Sequence, residues 1–575
     1  MRLQPIYDIA EICAQQGVIN SVVCPGSRCA PLTLAFVRHP EILCRTFSDE
    51  RSACFVALGI AQQTQAPVSV VCTSGSAAYN FAPAIAEAYF QEIPLLIFTA
   101  DRPIEWIDQW DGQTIRQTNI FGAHVKKSFT LPQEYDHPDS GWHIQRIVNE
   151  AISLAQEFPK GPVHINVPLR EPLYPTKEEK ISFTKRKNIV HVTPSSFELT
   201  QSDKASLSKS LSNYTKVLVV GGQQLFHEEL AKSIAGFCEK NHAALIGDVI
   251  SNLHSLPKTV RYADTFLSQC GDSVKQSLAP ELLITFGKSV VSKNLKQFIR
   301  KYKPVEHWHI QPNGNTADPF QSLSRLIHCS PQNFFEDLQS VETSEAFKEQ
   351  KKENYERLWQ AEESRISHAM KNYFSEIRFA EFQILKIIID SLPAQCNLHL
   401  ANSMSVRYAN FIGLTENNKG QHVFSNRGTS GIDGCTSTAI GHSLSSQVPN
   451  ILITGDMAFF YDRNAFWHNY PIPNLHIVVV NNHGGVIFNL IDGPGNLDEK
   501  DEYFITNQKL TASHLATEFG FDYLKLDSVK KIKNTLKDFF EFEGRTKILE
   551  ITSDQKTSQQ TFEQFKNNIK KSYET

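Results

Sequence analysis

The 575-residue chain has no apolar run approaching the about 18 residues that a membrane-spanning helix needs, so stable membrane insertion is not expected. Its first sixteen residues carry Asp8 and Glu11 and lack the long apolar core of an export leader, which points to a soluble, untargeted, cytoplasmic protein. A long basic block is also missing. With 57 basic against 61 acidic residues the net charge is -4, and nothing would neutralise a phosphate backbone, so nucleic acid is not an expected partner. The eleven cysteines include no CxxC pair and form an odd set, which argues against a disulfide scaffold or a zinc site; Cys24, Cys44 and Cys72 sit in or beside strand-like apolar runs, as reduced core residues do. No short-period repeat is visible. Hydrophobic residues at 41% and charged residues at 21% match ordinary soluble folds, so neither wholesale disorder nor a fibrous architecture is expected.

What is present is length and alternation. A chain this long outgrows a single hydrophobic core and should form two to four domains. From the N-terminus, β-branched runs at 21–24, 42–47, 68–72, 95–99 and 163–167 alternate with helix-like stretches at 30–38 and from about residue 51. That pattern predicts an α/β fold with a doubly wound parallel sheet over residues 1–180. A second α/β unit is expected over 190–340, with strands at 216–220, 243–246 and 282–286. Residues 342–372, rich in Glu and Lys, read as an exposed linking helix. A third α/β unit follows over 374–555, with strands at 397–400, 451–454, 477–480 and 547–551, and residues 556–575 read as a polar tail, helical or frayed.

Chemistry concentrates after two strands of the third unit. Gly455-Asp456 directly follows the run 451–454, and Asn481-Asn482-His483-Gly484-Gly485 directly follows 477–480; Asp456 and Asn482 are 26 positions apart. In an open parallel sheet, ligands bind beyond the carboxyl ends of the strands. The Asp456 carboxylate, the Asn482 amide oxygen and the Gly484 carbonyl make an all-oxygen set suited to a hard divalent cation, with magnesium fitting best. Gly484 and Gly485 would let the backbone approach phosphates closely. Gly-Asp and Asn-Gly are also ordinary turn formers, so each half alone is weak. His483 occupies the variable position of the turn and is read as a turn residue rather than a ligand.

Gly-Asp, a gap of this length and Asn-Asn-x-Gly resemble the diphosphate and metal motif of thiamine diphosphate enzymes, although Met457 stands where that family often has Gly or Ser. The resemblance implies three doubly wound α/β domains of the pyruvate decarboxylase-like architecture: a pyrimidine-binding domain, a central domain, and a domain binding diphosphate and Mg2+ or Mn2+. Glu50, in Ser48-Asp49-Glu50-Arg51, is the candidate carboxylate that shares a proton with the cofactor pyrimidine; on its own it would be an ordinary helix-start residue. Further stretches resemble one subfamily, the synthases that make 2-succinyl-5-enolpyruvyl-6-hydroxy-3-cyclohexene-1-carboxylate. They are Cys24-Pro25-Gly26-Ser27-Arg28, Cys72-Thr73-Ser74-Gly75, Thr99-Ala100-Asp101-Arg102-Pro103, Ile115-Arg116-Gln117, Asn402-Ser403-Met404 and Asn426-Arg427-Gly428.

That likeness implies 2-oxoglutarate and isochorismate as substrates. It places Glu50, Arg28 and Ser403 in catalysis. For the cofactor it implies Glu50, Ser403, Arg427, Ile432, Gly455, Asp456, Met457, Ala458, Asn482, Gly484, Gly485 and Val486, with Ile432 as the aliphatic prop beneath it. For the substrates it implies Ser27, Arg28, Arg102, Gln113, Lys293, Ser403, Arg407, Arg427, Phe488 and Ile491. Four arginines suit a pair of polyanions, because a guanidinium fork binds a carboxylate in bidentate fashion. Asn294 and Gly112 depart from residues seen in some members, Arg and Asn respectively. The resemblance further implies a homodimer or a dimer of dimers, with each site built by two chains. Rival readings are a thiamine diphosphate-dependent decarboxylase or acetohydroxy acid synthase acting on another 2-oxo acid, and a catalytically silent scaffold that only binds the cofactor.

Overall fold

The computed structural model describes residues 3–185, 189–193, 197–340, 355–490, 494–542 and 544–574. It contains three six-stranded sheets whose paired strands run parallel. Parallel neighbours need a crossover between them, and helices supply it, leaving strands buried on both faces. Hence Val68–Cys72, Val217–Gly221 and Cys396–Leu400 are buried along their whole lengths.

The first sheet uses β1 (Asn20–Val23), β2 (Leu43–Thr46), β3 (Val68–Cys72), β4 (Leu95–Asp101), β5 (Ser128–Thr130) and β6 (Val163–Pro168), in the order β2-β1-β3-β4-β6-β5. The central sheet uses β7 (Val217–Gly221), β8 (Ala244–Gly247), β9 (Thr259–Val260), β10 (Leu282–Phe286), β11 (Glu306–Gln311) and β12 (Arg325–His328), in the order β12-β11-β10-β7-β8-β9. The third uses β13 (Cys396–Leu400), β14 (Gln421–Phe424), β15 (Asn450–Gly455), β16 (Leu475–Asn481), β17 (Asp522–Leu526) and β18 (Lys547–Thr552), in the order β14-β13-β15-β16-β18-β17. The first and third sheets therefore share one topology, strand for strand. The central sheet has the order found in dinucleotide-binding folds, but its crevice is taken up internally. Gly222 N donates to Phe286 O and Gln223 N to Ser289 O, so the loops after β7 and β10 bond to each other.

The chain divides into two compact units. One comprises Met1–Pro194, Asn426–Gln447 and Ala458–Leu475; the other comprises Ser195–Ser425, Val448–Met457 and His476–Thr575. The first unit packs Ile6, Phe36, Phe98 and Ile147 around the first sheet. One close helix crossing sets Glu50–Thr64 against Cys435–Ser443. A Cβ on Gly59 would lie 2.2 Å from Thr438 O, and one on Gly441 2.3 Å from Val56 O, so the two backbones meet at residues without side chains. In the second unit one apolar cluster runs from Val220 and Phe266 through Trp359 to Leu398, Ile451 and Phe562.

One expectation needs correction, and a second is met in part, because the tail is helical as expected but buries one face. The stretch read as an exposed linking helix is, over Tyr355–Tyr373, a helix that buries Tyr355, Trp359, Ile366 and Met370 together with Glu363. Its carboxylates are tolerated inside because they are bonded: Glu363 accepts from Arg261 N at 3.1 Å and Tyr262 N at 3.0 Å. Residues 342–354 of that expected helix lie outside the described residues. The polar tail is the helix Gln555–Lys571, capped by Asp554, which seats Phe562, Phe565 and Ile569 in the core. The strands that sequence reading missed are β5, β9, β11, β12, β14 and β17. Most are short or lie at a sheet edge, and β11 is masked by polar His307 and His309, which are buried.

Candidate active site

Nearly every candidate residue lies at or just beyond the carboxyl end of a parallel strand. Ser27 and Arg28 follow β1, Glu50 follows β2, Arg102 follows β4, Lys293 follows β10, Ser403 and Arg407 follow β13, and Arg427 follows β14. Gly455 closes β15 with Asp456 directly after it, and Asn482 follows β16. In the first and third sheets the order turns between β1 and β3 and between β13 and β15, the switch points at which open α/β sheets bind ligands.

In the first unit, Glu50 opens the Glu50–Thr64 helix, where the helix dipole favours a carboxylate. Its neighbours fix this turn. Asp49 caps the helix by accepting from Ser52 N at 2.9 Å and also accepts from Asn464 Nδ2 at 2.8 Å. Arg51 donates to Tyr461 O at 2.9 Å and stacks over the Tyr461 ring at 4.5 Å. The Glu50 carboxylate accepts no hydrogen bond from the described residues, so its oxygens are available to a ligand. The Cys24 and Cys72 thiols nearby are pushed up, first by burial and further by neighbouring cysteines and by Glu50, so they stay protonated and unreactive.

Arg28 is buried and donates to Leu169 O at 2.9 Å and to Glu171 Oε1 at 3.2 Å. Burial lowers its pKa, and the Arg102 guanidinium nearby lowers it again, so two cations share one region. Arg102 pairs with Asp111 at 3.2 Å and donates to Gly112 O at 3.0 Å, so Gly112 contributes its carbonyl. Ser27 bonds Tyr174 at 3.0 Å, and Gln113 has φ of 57°. The loop carrying Arg427 and the half-exposed Ile432 is pinned by buried Glu87, which accepts from Gly428 N at 2.8 Å and from Thr429 N at 2.6 Å.

In the second unit, Ser403 caps the Met404–Ile412 helix with φ of 70° and ψ of -127°, a strained conformation for a residue with a side chain. Arg407 donates back to Ser403 O at 2.6 Å. Lys293 begins the Lys293–Lys301 helix and is exposed. Asp264 ties these two helices together, accepting from Asn294 Nδ2 at 2.8 Å and from Asn410 Nδ2 at 3.2 Å. Asn294 is thereby committed to structure, not turned toward a substrate.

Asp456 and Asn482 converge as their strand ends require. Gly484 N donates to Asn482 Oδ1 at 3.2 Å, and the backbone N–H groups of Met457 and Gly484 favour the charged form of the nearby Asp456 carboxylate. Gln508 Nε2 holds Asp456 Oδ2 at 2.7 Å and Asn481 Oδ1 at 3.2 Å. Burial pushes the Asp456 carboxyl up to about 6, and no Lys, Arg or His pairs with it among the described residues. A Cβ on Gly455 would meet nothing within 4 Å, so the space before that strand end is open. These features fit a hard divalent cation: oxygen donors, a buried negative charge lacking a protein counter-ion, and room for further oxygens. The same chemistry fits the diphosphate of a cofactor. Met457 and Ala458 continue the short Asp456–Tyr461 helix. Gly484 needs to be glycine for a nearer reason than phosphate, since a Cβ there would come within 2.7 Å of Ile505. Val486 is buried, Phe488 packs on Phe504 with ring centroids 5.7 Å apart, and Ile491 lies outside the described residues. His483 has φ of 64°, as a turn residue does.

Sequence reading missed the supports: Glu87, Glu381, Gln508 and Glu550. None belongs to a motif, and each is brought to the site from a distant stretch of chain, so no local pattern could reveal it.

Residues 7–120 match the family profile described as "Thiamine pyrophosphate enzyme, N-terminal TPP binding domain", and residues 195–400 that described as "Middle domain of thiamine pyrophosphate". The 2-succinyl-5-enolpyruvyl-6-hydroxy-3-cyclohexene-1-carboxylate synthase of Cytophaga hutchinsonii is 45% identical over 572 residues, covering 99% of this chain and 100% of that protein. Synthases of the same name are 38% identical over 94% of this chain in Flavobacterium johnsoniae, and 36% identical over 98% in Christiangramia forsetii, covering 95% and 98% of those proteins. With likeness running from end to end and the strand-end motifs in place, this chain belongs to the 2-succinyl-5-enolpyruvyl-6-hydroxy-3-cyclohexene-1-carboxylate synthase family of thiamine pyrophosphate enzymes.

Proposed function

We propose that the chain joins 2-oxoglutarate to isochorismate with loss of carbon dioxide, giving 2-succinyl-5-enolpyruvyl-6-hydroxy-3-cyclohexene-1-carboxylate for menaquinone biosynthesis. The observation that carries the reading is the buried oxygen cluster of Asp456, Asn482 and Gly484 at two neighbouring strand ends, with no cation among the described residues paired with Asp456. Asp456, Asn482 and the Gly484 carbonyl would hold Mg2+ or Mn2+, and Gly455, Met457, Ala458, Gly485 and Val486 would border the diphosphate. When bound, thiamine diphosphate supplies the carbon nucleophile and electron sink that decarboxylation of a 2-oxo acid requires.

The chain's own residues do the rest. Glu50 holds a proton at its carboxyl for exchange with the cofactor's pyrimidine, a role suited to a carboxylate that accepts no hydrogen bond from the described residues. Arg28, Arg102, Arg407 and Arg427, with Lys293, bind the carboxylates of two polyanionic substrates, while Ser27, Gln113 and Ser403 add neutral hydrogen bonds. Ile432 supports the cofactor, and Phe488 and Ile491 are assigned, by the family resemblance, to an apolar wall for the substrates. The assembly is a homodimer or a dimer of dimers in the cytoplasm, in which Glu50 of one chain serves a cofactor anchored by Asp456 and Asn482 of its neighbour.

The presence of Arg28, Arg102, Arg407 and Arg427 together favours this substrate pair over a decarboxylase or acetohydroxy acid synthase acting on a smaller 2-oxo acid, which needs fewer cations. The test is substrate consumption by purified protein with thiamine diphosphate and Mg2+, comparing 2-oxoglutarate with pyruvate, each with and without isochorismate. Consumption of 2-oxoglutarate that depends on isochorismate is expected. Turnover of pyruvate alone would overturn the substrate assignment, and no turnover of any pair would leave a cofactor-binding scaffold.

A further inference from the structure

Two consecutive asparagines end β16, and each has a buried carboxylate beneath it. Asn481 Nδ2 donates to Glu550 Oε1 at 2.6 Å, which turns its Oδ1 toward Gln508 Nε2 and His483 N. Asn482 Nδ2 donates to Glu381 Oε1 at 2.8 Å, and Ser553 Oγ donates to the same Glu381 oxygen at 2.8 Å. Glu381 is the first residue of the Glu381–Asp390 helix and is 1% exposed. No Lys or Arg pairs with it among the described residues, and both Asn482 and Ser553 are neutral donors.

An amide side chain can present either its oxygen or its NH2 group to a ligand, and the two faces are nearly equal in shape. A cation accepts only the oxygen. Glu381 Oε1, which already accepts the Ser553 hydroxyl, is an acceptor at hydrogen-bond distance from one end of the amide, so it selects that end as NH2 and sends the oxygen to the other side. Gly484 N, a donor, faces that other side at 3.2 Å and selects the same orientation. Gln555 Nε2 fixes the Asn482 carbonyl at 2.8 Å, so the backbone is held as well.

We propose that Glu381 is a positioning residue that fixes the Asn482 amide with its oxygen toward the cation. This rests on the reading of Asp456, Asn482 and Gly484 as the cation site. Partners of this kind orient metal ligands, and losing one lowers metal affinity by about 10- to 100-fold.

The test is Mn2+ titration of the full-length protein with thiamine diphosphate present, following free Mn2+ by electron paramagnetic resonance, so that the readout is binding and not turnover. Asp456→Ala should lose Mn2+ binding; unchanged binding there would overturn the cation site itself. Glu381→Leu removes the acceptor and should weaken Mn2+ by about 10- to 100-fold, whereas Glu381→Gln, whose amide oxygen can accept from both Asn482 and Ser553, should recover most of that affinity. Wild-type affinity in Glu381→Leu, alongside loss in Asp456→Ala, would overturn the role of Glu381 alone.

A second pair of variants decides the matter if the leucine variant does not fold. Asn482→Asp places two carboxylates together and should weaken Mn2+ binding. Adding Glu381→Gln to it should restore binding, because the glutamine can turn its NH2 group to the new carboxylate. Failure of the second substitution to improve on the first would contradict the proposal.

Discussion

At the scale of single residues, the site is a set of side chains whose orientation is decided by neighbours that do no chemistry. Asp49 and Arg51 hold the turn that carries Glu50, and Glu50 itself accepts no hydrogen bond from the described residues. Glu50→Gln keeps the size and the helix start but removes the titrating proton. General acid–base contributions are typically about 100- to 10,000-fold, and the variant should lose at least the lower of these in kcat. Thiamine diphosphate binding measured by calorimetry should be retained; a variant with wild-type kcat would remove Glu50 from the reaction. The strand-end motifs were legible because Gly-Asp and Asn-Asn-x-Gly are contiguous in sequence. Glu381 and Gln508 were not, because they reach Asn482 and Asp456 from 101 and 52 positions away.

At the scale of elements, the crossing of Glu50–Thr64 on Cys435–Ser443 shows which effect wins at Gly59. Alanine in mid-helix is favoured over glycine by about 1 kcal/mol, so propensity alone would select against this glycine. The added Cβ would sit 2.2 Å from Thr438 O, a backbone atom that cannot move aside as a flexible side chain can. Overpacking of this kind costs about 1–3 kcal/mol, which exceeds the propensity gain. Gly59→Ala should therefore lower the thermal midpoint, and a raised midpoint would show that the helices separate without cost.

The Tyr355–Tyr373 helix gives a pH signature. Burial pushes the Glu363 carboxyl up to about 7, against about 4.3 in an unfolded chain. The native state thus holds the proton more tightly. The stability this group contributes is complete below about pH 4 and is lost as pH rises through about 7. Urea unfolding of Glu363→Gln should decline less between those limits than that of the parent; parallel curves would contradict the assignment. The stretch 342–372 reads as Glu- and Lys-rich in sequence, and the buried face of the helix within it was illegible because Glu363 is satisfied by the backbone of Arg261 and Tyr262, about a hundred residues earlier.

At the scale of the whole molecule, the parallel α/β character of all three sheets was readable from alternating apolar runs. The shared order of the first and third sheets was not, because it depends on edge strands such as Gln421–Phe424 and Asp522–Leu526, too short or too polar to stand out. If sites are built by two chains, mixing Glu50→Gln chains with Asp456→Ala chains, each inactive alone, should regain activity on subunit exchange. Failure to regain any, with mixed assemblies confirmed by mass, would place each site within one chain.

The most direct test of the account is the stoichiometry of a single reaction mixture containing the protein, thiamine diphosphate, Mg2+, 2-oxoglutarate and isochorismate. Equal amounts of carbon dioxide released, isochorismate lost and one adduct gained are predicted, the adduct having the mass of both substrates less carbon dioxide. Release of carbon dioxide with isochorismate untouched would contradict it and leave a simple 2-oxo acid decarboxylase.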